Sequence, residues 1–189
     1  MYLLDANAII TPFVPGFLEA LAKALGRSPE EAKAHLEAWF RDGIKRGILR
    51  LGREVRDEIL RKRGPGHDLL KSLDGQYKLL EVTEAFFDAL EKVAHFVREH
   101  YAPEDAEPFL RGADPTLVAL AKVHNLTLIT QERHVVPQLD GASGLITGRP
   151  RLPYVAFAFG VRCVPLLTAL LEVQGQASLP QAPGEAGGG

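Results

Sequence analysis

A chain of 189 residues, 46% hydrophobic and 24% charged, carries enough apolar material for one full core, since single domains run to roughly 100–200 residues. Its 22 Lys and Arg against 24 Asp and Glu leave a net charge of -2, which excludes whole-chain electrostatic capture of nucleic acid or an acidic membrane. The single cysteine, Cys163, excludes an intrachain disulfide and a cysteine-built zinc cluster and fits a reducing, cytoplasmic setting, while no apolar run approaches the roughly 20 residues of a spanning helix.

In chain order, Met1–Leu4 reads as a short buried strand that delivers Asp5 and Asn7 at its tip. Phe17–Leu25 has helical apolar spacing and stops at Gly26. Ser28-Pro29-Glu30-Glu31 is a capping box with Pro at the first helical position, and its helix is expected to run to about Arg46. Ile48–Leu51 reads as a second strand, followed by a helix over Arg53–Lys62 with Val55, Ile59 and Leu60 inward. Gly64-Pro65-Gly66 breaks it, a short helix covers Asp68–Leu73, and Leu79–Thr83 is expected to be a further strand. Glu84–His100 carries a stripe of Phe86, Phe87, Leu90, Val93, Phe96 and Val97, longer than one core needs, which leaves room for a homodimer contact.

Asp114 is expected to cap a helix over Thr116–His124, with the strand Leu126–Thr130 directly after it. Pro150–Gly160 is a compact apolar patch, Val161–Val164 is strand-like, and Leu166–Val173 forms a last helix. Residues 1–174 thus read as one domain, and 175–189, rich in Gly, Gln, Ala, Ser and Pro, as a disordered tail. Strands separated by helices need crossover connections, so an α/β fold with a mainly parallel sheet and helices on both faces follows. Sites in such folds lie beyond the carboxyl ends of the strands.

Four acids fall where that rule puts a site. Asp5 ends the first strand, Glu58 lies on the helix after the second, Asp114 opens a helix, and Glu132 follows Leu126–Thr130. Gathered carboxylates repel one another unless a cation neutralises them, and oxygen ligands without cysteine or a histidine pair select Mg²⁺ or Mn²⁺. Metal-assisted phosphodiester hydrolysis is the chemistry that follows.

The stretch Tyr2-Leu3-Leu4-Asp5-Ala6-Asn7-Ala8-Ile9-Ile10 resembles the opening of PIN-domain ribonucleases. Val55-Arg56-Asp57-Glu58-Ile59 is similar to their second acidic motif, Gly112–Ala121 to the third, and Leu126–Glu132 to the fourth. Arg151–Tyr154 with Phe159–Cys163 is similar to the closing helix-strand unit of a PIN branch catalogued as a domain of unknown function. The resemblance implies a three-layer α/β/α fold and an RNA endonuclease dependent on Mg²⁺ or Mn²⁺, akin to the VapC-like toxins held inactive by an antitoxin protein. It makes Asp5, Glu58 and Asp114 metal ligands, Glu132 a further ligand or water-positioning acid, and Asn7 the group that orients the first carboxylate. Ala6 stands where many relatives carry Thr or Ser, and Glu132 where Asp is commoner.

Each residue also has a plainer role. Asp5 with Asn7 suits an Asx-turn, Asp114 before Pro is a good helix cap, and Glu58 shares an arginine-rich helix with Glu54 and Asp57. Glu58 borders the apolar stripe of that helix and ranks ahead of Glu54. Cys163 reads as packing rather than as a nucleophile. RNA contact requires local positive charge, and Arg41–Arg63 holds nine basic residues against four acidic ones. Arg53, Arg56, Arg61 and Lys62 around Glu58, with Arg133 beside Glu132, are the candidate RNA-binding cations. A PIN-like module that binds RNA or protein without cutting is the alternative; a haloacid-dehalogenase-type phosphohydrolase is disfavoured because Asn7 replaces the second acid of Asp-x-Asp.

Overall fold

The computed structural model describes residues 1–178; the remainder of the expected tail, 179–189, lies outside the described residues. Four short strands form one parallel sheet in the order β2-β1-β3-β4. β1 is Tyr2–Leu4, β2 Leu49–Arg50, β3 Thr127–Ile129 and β4 Cys163–Val164. Tyr2, Leu3 and Leu4 are all buried, as a central strand covered on both faces requires. The register sets Leu4 opposite Ile129 and Ile129 opposite Val164, so the carboxyl ends of β1, β3 and β4 finish level.

Helices fill the connections and flank the sheet on both faces, giving the three-layer α/β/α architecture. Between β1 and β2 run α1 (Ala6–Ile10), α2 (Pro15–Leu25) and α3 (Pro29–Lys45). Gly26 ends α2 in the left-handed conformation at φ 62°, which a residue with a Cβ adopts only at a cost. The capping box of α3 forms as expected: Ser28 Oγ accepts the Glu31 N–H at 3.2 Å and Glu31 Oε2 accepts the Ser28 N–H at 2.9 Å. Gly43 lets α3 close on β2, since a Cβ there would meet the Leu49 side chain at 2.7 Å.

The long crossover from β2 to β3 carries α4 (Arg53–Arg61), α5 (Pro65–Ser72), α6 (Glu84–His100), α7 (Pro103–Leu110) and α8 (Asp114–Val123). α6 packs on α8 and buries Phe86, Val93 and Val97, so most of its apolar stripe is spent within the chain, while Phe87 stays 60% exposed. The expected strand at Leu79–Thr83 is not one. Leu80 is buried and donates one backbone hydrogen bond to Leu51 O at 3.0 Å, but Glu81 and Val82 are exposed and no ladder develops. α7 has no counterpart in the sequence reading, because Pro103 and Pro108 obscure its period.

After β3, α9 (Leu152–Ala158) leads to β4, and α10 (Leu166–Ser178) closes the described chain, four residues beyond the boundary expected at 174. Glu172 of α10 accepts a hydrogen bond from Tyr2 Oη at 2.8 Å and ion-pairs with Arg162, which ties the last helix to the first strand. Among the described residues no single helix is long and apolar enough to cross a membrane.

Candidate active site

β1 and β3 are neighbours whose chains leave in opposite directions, β1 toward β2 and β3 toward β4. Right-handed crossovers place the following helices on opposite faces, and in sheets of this order the crevice is expected beyond the carboxyl ends of these two strands. Asp5 and Thr130 are the first residues past β1 and β3, fixed there by backbone bonds from Asp5 N to Ile129 O at 3.0 Å and from Thr130 N to Val164 O at 3.1 Å.

Thr130, 1% exposed, is the hub of the crevice. Its hydroxyl donates to Asp5 Oδ2 at 2.8 Å, and the same oxygen accepts the Glu132 N–H at 3.2 Å. The Asn7 carboxamide accepts the Gln131 N–H at 2.8 Å and reaches Thr130 Oγ1 with Nδ2 at 3.4 Å. Asn7 thus meets Asp5 twice, through its own backbone N–H and through the Thr130 hydroxyl that its side chain contacts. Glu132 Oε2 accepts the Leu152 N–H at 3.0 Å, satisfying an amide in the first turn of α9 that has no partner within its own helix.

Asp114 differs from expectation in one respect. Ala113 occupies the cap position of α8, and Asp114 is the first helical residue, making no side-chain cap bond. Its carboxylate is thus left to face its neighbours. Glu58 projects from α4 beside the buried Val55 and Ile59, and pairs with Lys62 Nζ at 2.7 Å with its side chain 34% exposed. Glu54 is exposed on the first turn of α4.

The four acids act on one another electrostatically. Burial pushes the Asp5 carboxyl up to about 6, against the opposing pull of the Thr130 hydroxyl and the Ala6 and Asn7 amides, with the Glu132 charge adding to the rise. Asp114 is pushed up to about 7, first by burial and then by the charges of Asp5, Glu132 and Glu58. Cys163, beneath the crevice on β4, has its thiol raised to about 12 by burial and then by the Asp5 and Glu132 charges, so it stays protonated and unreactive.

An all-oxygen donor set with two carboxyls driven upward by burial and like charge suits a hard divalent cation. The side chains are not yet arranged around one: among the described residues, no three His, Cys, Asp or Glu are close enough to hold a metal ion as they stand. Both observations hold together because repulsion in a buried crevice reaches further than a ligand bond. Glu58 is drawn aside by Lys62 and Glu132 by the Leu152 amide. The residues fit a cation in chemistry and charge, and their present side-chain positions do not enclose one among the described residues.

The candidate RNA-binding cations divide. Arg56 is bound to Asp57 Oδ1 through Nε at 2.8 Å and NH2 at 2.6 Å, and Lys62 to Glu58, whereas Arg53, Arg61 and Arg133 are exposed and have no acid within ion-pair distance among the described residues. Gln131 Nε2 is buried without a hydrogen-bond partner. Thr130 and the Leu152 amide had been assigned no role from sequence; the signal for Thr130 is a polar residue at the end of the apolar run Leu126–Ile129.

A three-layer α/β protein with an acidic crevice at the point where its parallel sheet changes winding direction is the class that this fold and site define. A family model described as a domain of unknown function, DUF4411, matches residues 2–176, and the chain belongs to that family. No curated protein gives a significant match.

Proposed function

We propose that this protein is a PIN-type endoribonuclease using Mg²⁺ or Mn²⁺, acting as a VapC-like toxin restrained by an antitoxin protein. The observation that supports it best is that Asp114 lies within electrostatic reach of Asp5, Glu132 and Glu58 at once, so four acids distant in sequence gather near the carboxyl ends of β1 and β3. Asp5 and Asp114 would anchor the cation, with Glu58 joining after it leaves Lys62. That exchange is cheap, since an exposed pair of this spacing is worth about 0.3–0.5 kcal/mol. Glu132 would complete the shell or position water.

Asp5 and Asp114, with Glu58 and Glu132, would hold a divalent ion, whose chemistry would be to acidify a water and offset charge developing on the phosphate. The chain's own groups do the rest. Thr130 holds Asp5 in place and favours its ionised form, Asn7 braces Thr130, and the Leu152 amide fixes Glu132. In the hydrolysis the water oxygen would bond to phosphorus and give up one proton as the bond to the leaving oxygen breaks, and a proton taken from solvent would balance it on that leaving oxygen.

A groove of about 630 Å³ between residues 134–137 and α9 supports a protein partner beside the crevice, with Val136 86% and Phe157 76% exposed along it. A module that binds without cutting is the second reading, favoured by the absence of a three-ligand group in present side-chain positions among the described residues.

Labelled single-stranded RNA incubated with the protein and Mg²⁺ or Mn²⁺ separates the two, with EDTA and Asp5→Asn as controls. Cleavage that stops in both controls is expected. Intact RNA across several substrates, or cutting that survives both controls, overturns the nuclease assignment.

A further inference from the structure

A second cleft, of about 330 Å³, lies at the β2 edge of the sheet, away from the acids. Lys45, Arg46, Arg50 and Lys78 line it together with Tyr77 and Gln76. Lys45, Arg50 and Lys78 have no acid within ion-pair distance among the described residues, and Arg46 meets only the exposed Asp42 at 3.1 Å. Four cations surround a half-buried tyrosine, and with Asp42 beside Arg46 and the charges of Asp74 and Asp57 reaching Tyr77 the concave surface keeps a positive excess.

The cleft, lined by residues 44–47 that precede β2, lies toward the amino ends of the strands, whereas Asp5 lies at the carboxyl end of β1. Leu49 of β2 is level with Tyr2 of β1, three residues before Asp5, a separation of about 10 Å along the strands. Arg56 lies within electrostatic reach of Tyr77 and sits on α4, the helix that carries Glu58. A ligand that touches both the cleft and Asp5 must therefore be a strand longer than a single nucleotide.

We propose that this cleft binds single-stranded RNA at nucleotides remote from the bond that is cut, with Lys45, Arg50 and Lys78 on successive phosphates and a base stacked on Tyr77. The assignment rests on the ribonuclease reading above and extends it from a cutting site to a substrate track. It accounts for a chain of net charge -2 that collects its surplus of bases within Arg41–Arg63, with Lys78 joining them in space.

Binding of a short labelled oligouridine, measured by fluorescence anisotropy in EDTA over a range of salt concentrations, tests it. Replacing Lys45, Arg50 and Lys78 together with Gln is expected to reduce the slope of log K against log salt by about 2, from three phosphate contacts at about 0.7 each. Tyr77→Leu is expected to weaken binding roughly tenfold with the slope unchanged. Lys78→Gln alone, at an exposed loop position, gives about a third of the slope change without risk to the fold. In Mn²⁺ the triple variant should raise KM for long RNA with kcat retained.

A triple variant that binds with wild-type slope while the wild type still cuts RNA overturns the cleft and leaves the ribonuclease reading intact. Wild-type protein that neither binds nor cuts RNA overturns both. Inorganic polyphosphate or polyglutamate bound as tightly as RNA, with Tyr77→Leu silent, makes the cleft a general anion surface and overturns the RNA assignment.

Discussion

The Thr130 hydroxyl donates to Asp5 Oδ2 at 2.8 Å, joining the ends of β3 and β1 through a buried bond between residues 125 positions apart. The bond favours the ionised carboxylate, so removing it raises a group already at about 6. Thr130→Val is expected to cost about 1–3 kcal/mol in urea unfolding, the range for a buried polar group left unsatisfied. It should also move the acid limb of the cleavage pH profile upward, with Thr130→Ser restoring it. A Val profile that overlays the wild type contradicts the positioning role.

The pH dependence of stability follows from Asp5 and Asp114, raised from 3.8 to about 6 and about 7. Because the folded chain holds these protons more tightly than the unfolded chain, the associated stability is fully present below about pH 4 and is lost as pH rises to about 7. The metal-free protein should melt at a lower temperature at pH 8 than at pH 5. Asp114→Asn should flatten that trend and stabilise the metal-free protein at pH 8 by roughly 2 kcal/mol. A melting temperature for this variant that is lower than wild type at pH 8 would count against the repulsion.

Lys62 holds Glu58 at 2.7 Å, so on the proposed cation site it competes with the ion for that carboxylate. Lys62→Ala is expected to tighten Mn²⁺ binding several-fold in calorimetric titration. Wild-type protein should gain about 2.7 kcal/mol of stability at an ion concentration of about 100 times Kd. Weaker Mn²⁺ binding in Lys62→Ala would place Glu58 outside the cation shell.

Glu132 has a structural duty at Leu152 as well as a proposed chemical one. Glu132→Gln keeps an acceptor for the amide and should leave thermal stability near wild type while slowing cleavage. Glu132→Ala loses the acceptor and should cost about 1 kcal/mol more, the usual scale for a hydrogen bond. Equal stability and equal rates in the two variants would remove both roles.

Much of the fold was legible in local signals, and Asp5, Asp114 and Glu132 sit at or just past element ends that such signals identify, while Glu58 lies within α4. The apolar run before Asp5, the capping box at Ser28 and the helix-then-strand sequence before Glu132 each have a short-range cause, and they suffice for an α/β/α fold. What stayed hidden depends on contacts between distant segments. The Thr130 bond to Asp5 and the Leu152 bond to Glu132 exist only once β1, β3 and α9 are assembled. Leu79–Thr83 misled because Leu80 is buried by packing and not by strand pairing. Asp114 before Pro115 had the local chemistry of a cap, but the helix begins at Asp114 itself and frees its carboxylate for the crevice.

On the proposed mechanism a divalent cation sits between Asp5 and Asp114. Anomalous diffraction from crystals soaked in Mn²⁺, recorded at the manganese edge, tests it most directly. A peak in contact with both carboxylates, with Glu58 turned away from Lys62, is the predicted result. Density without a peak in that crevice, from crystals in which wild-type protein is fully ordered at saturating Mn²⁺, would contradict it.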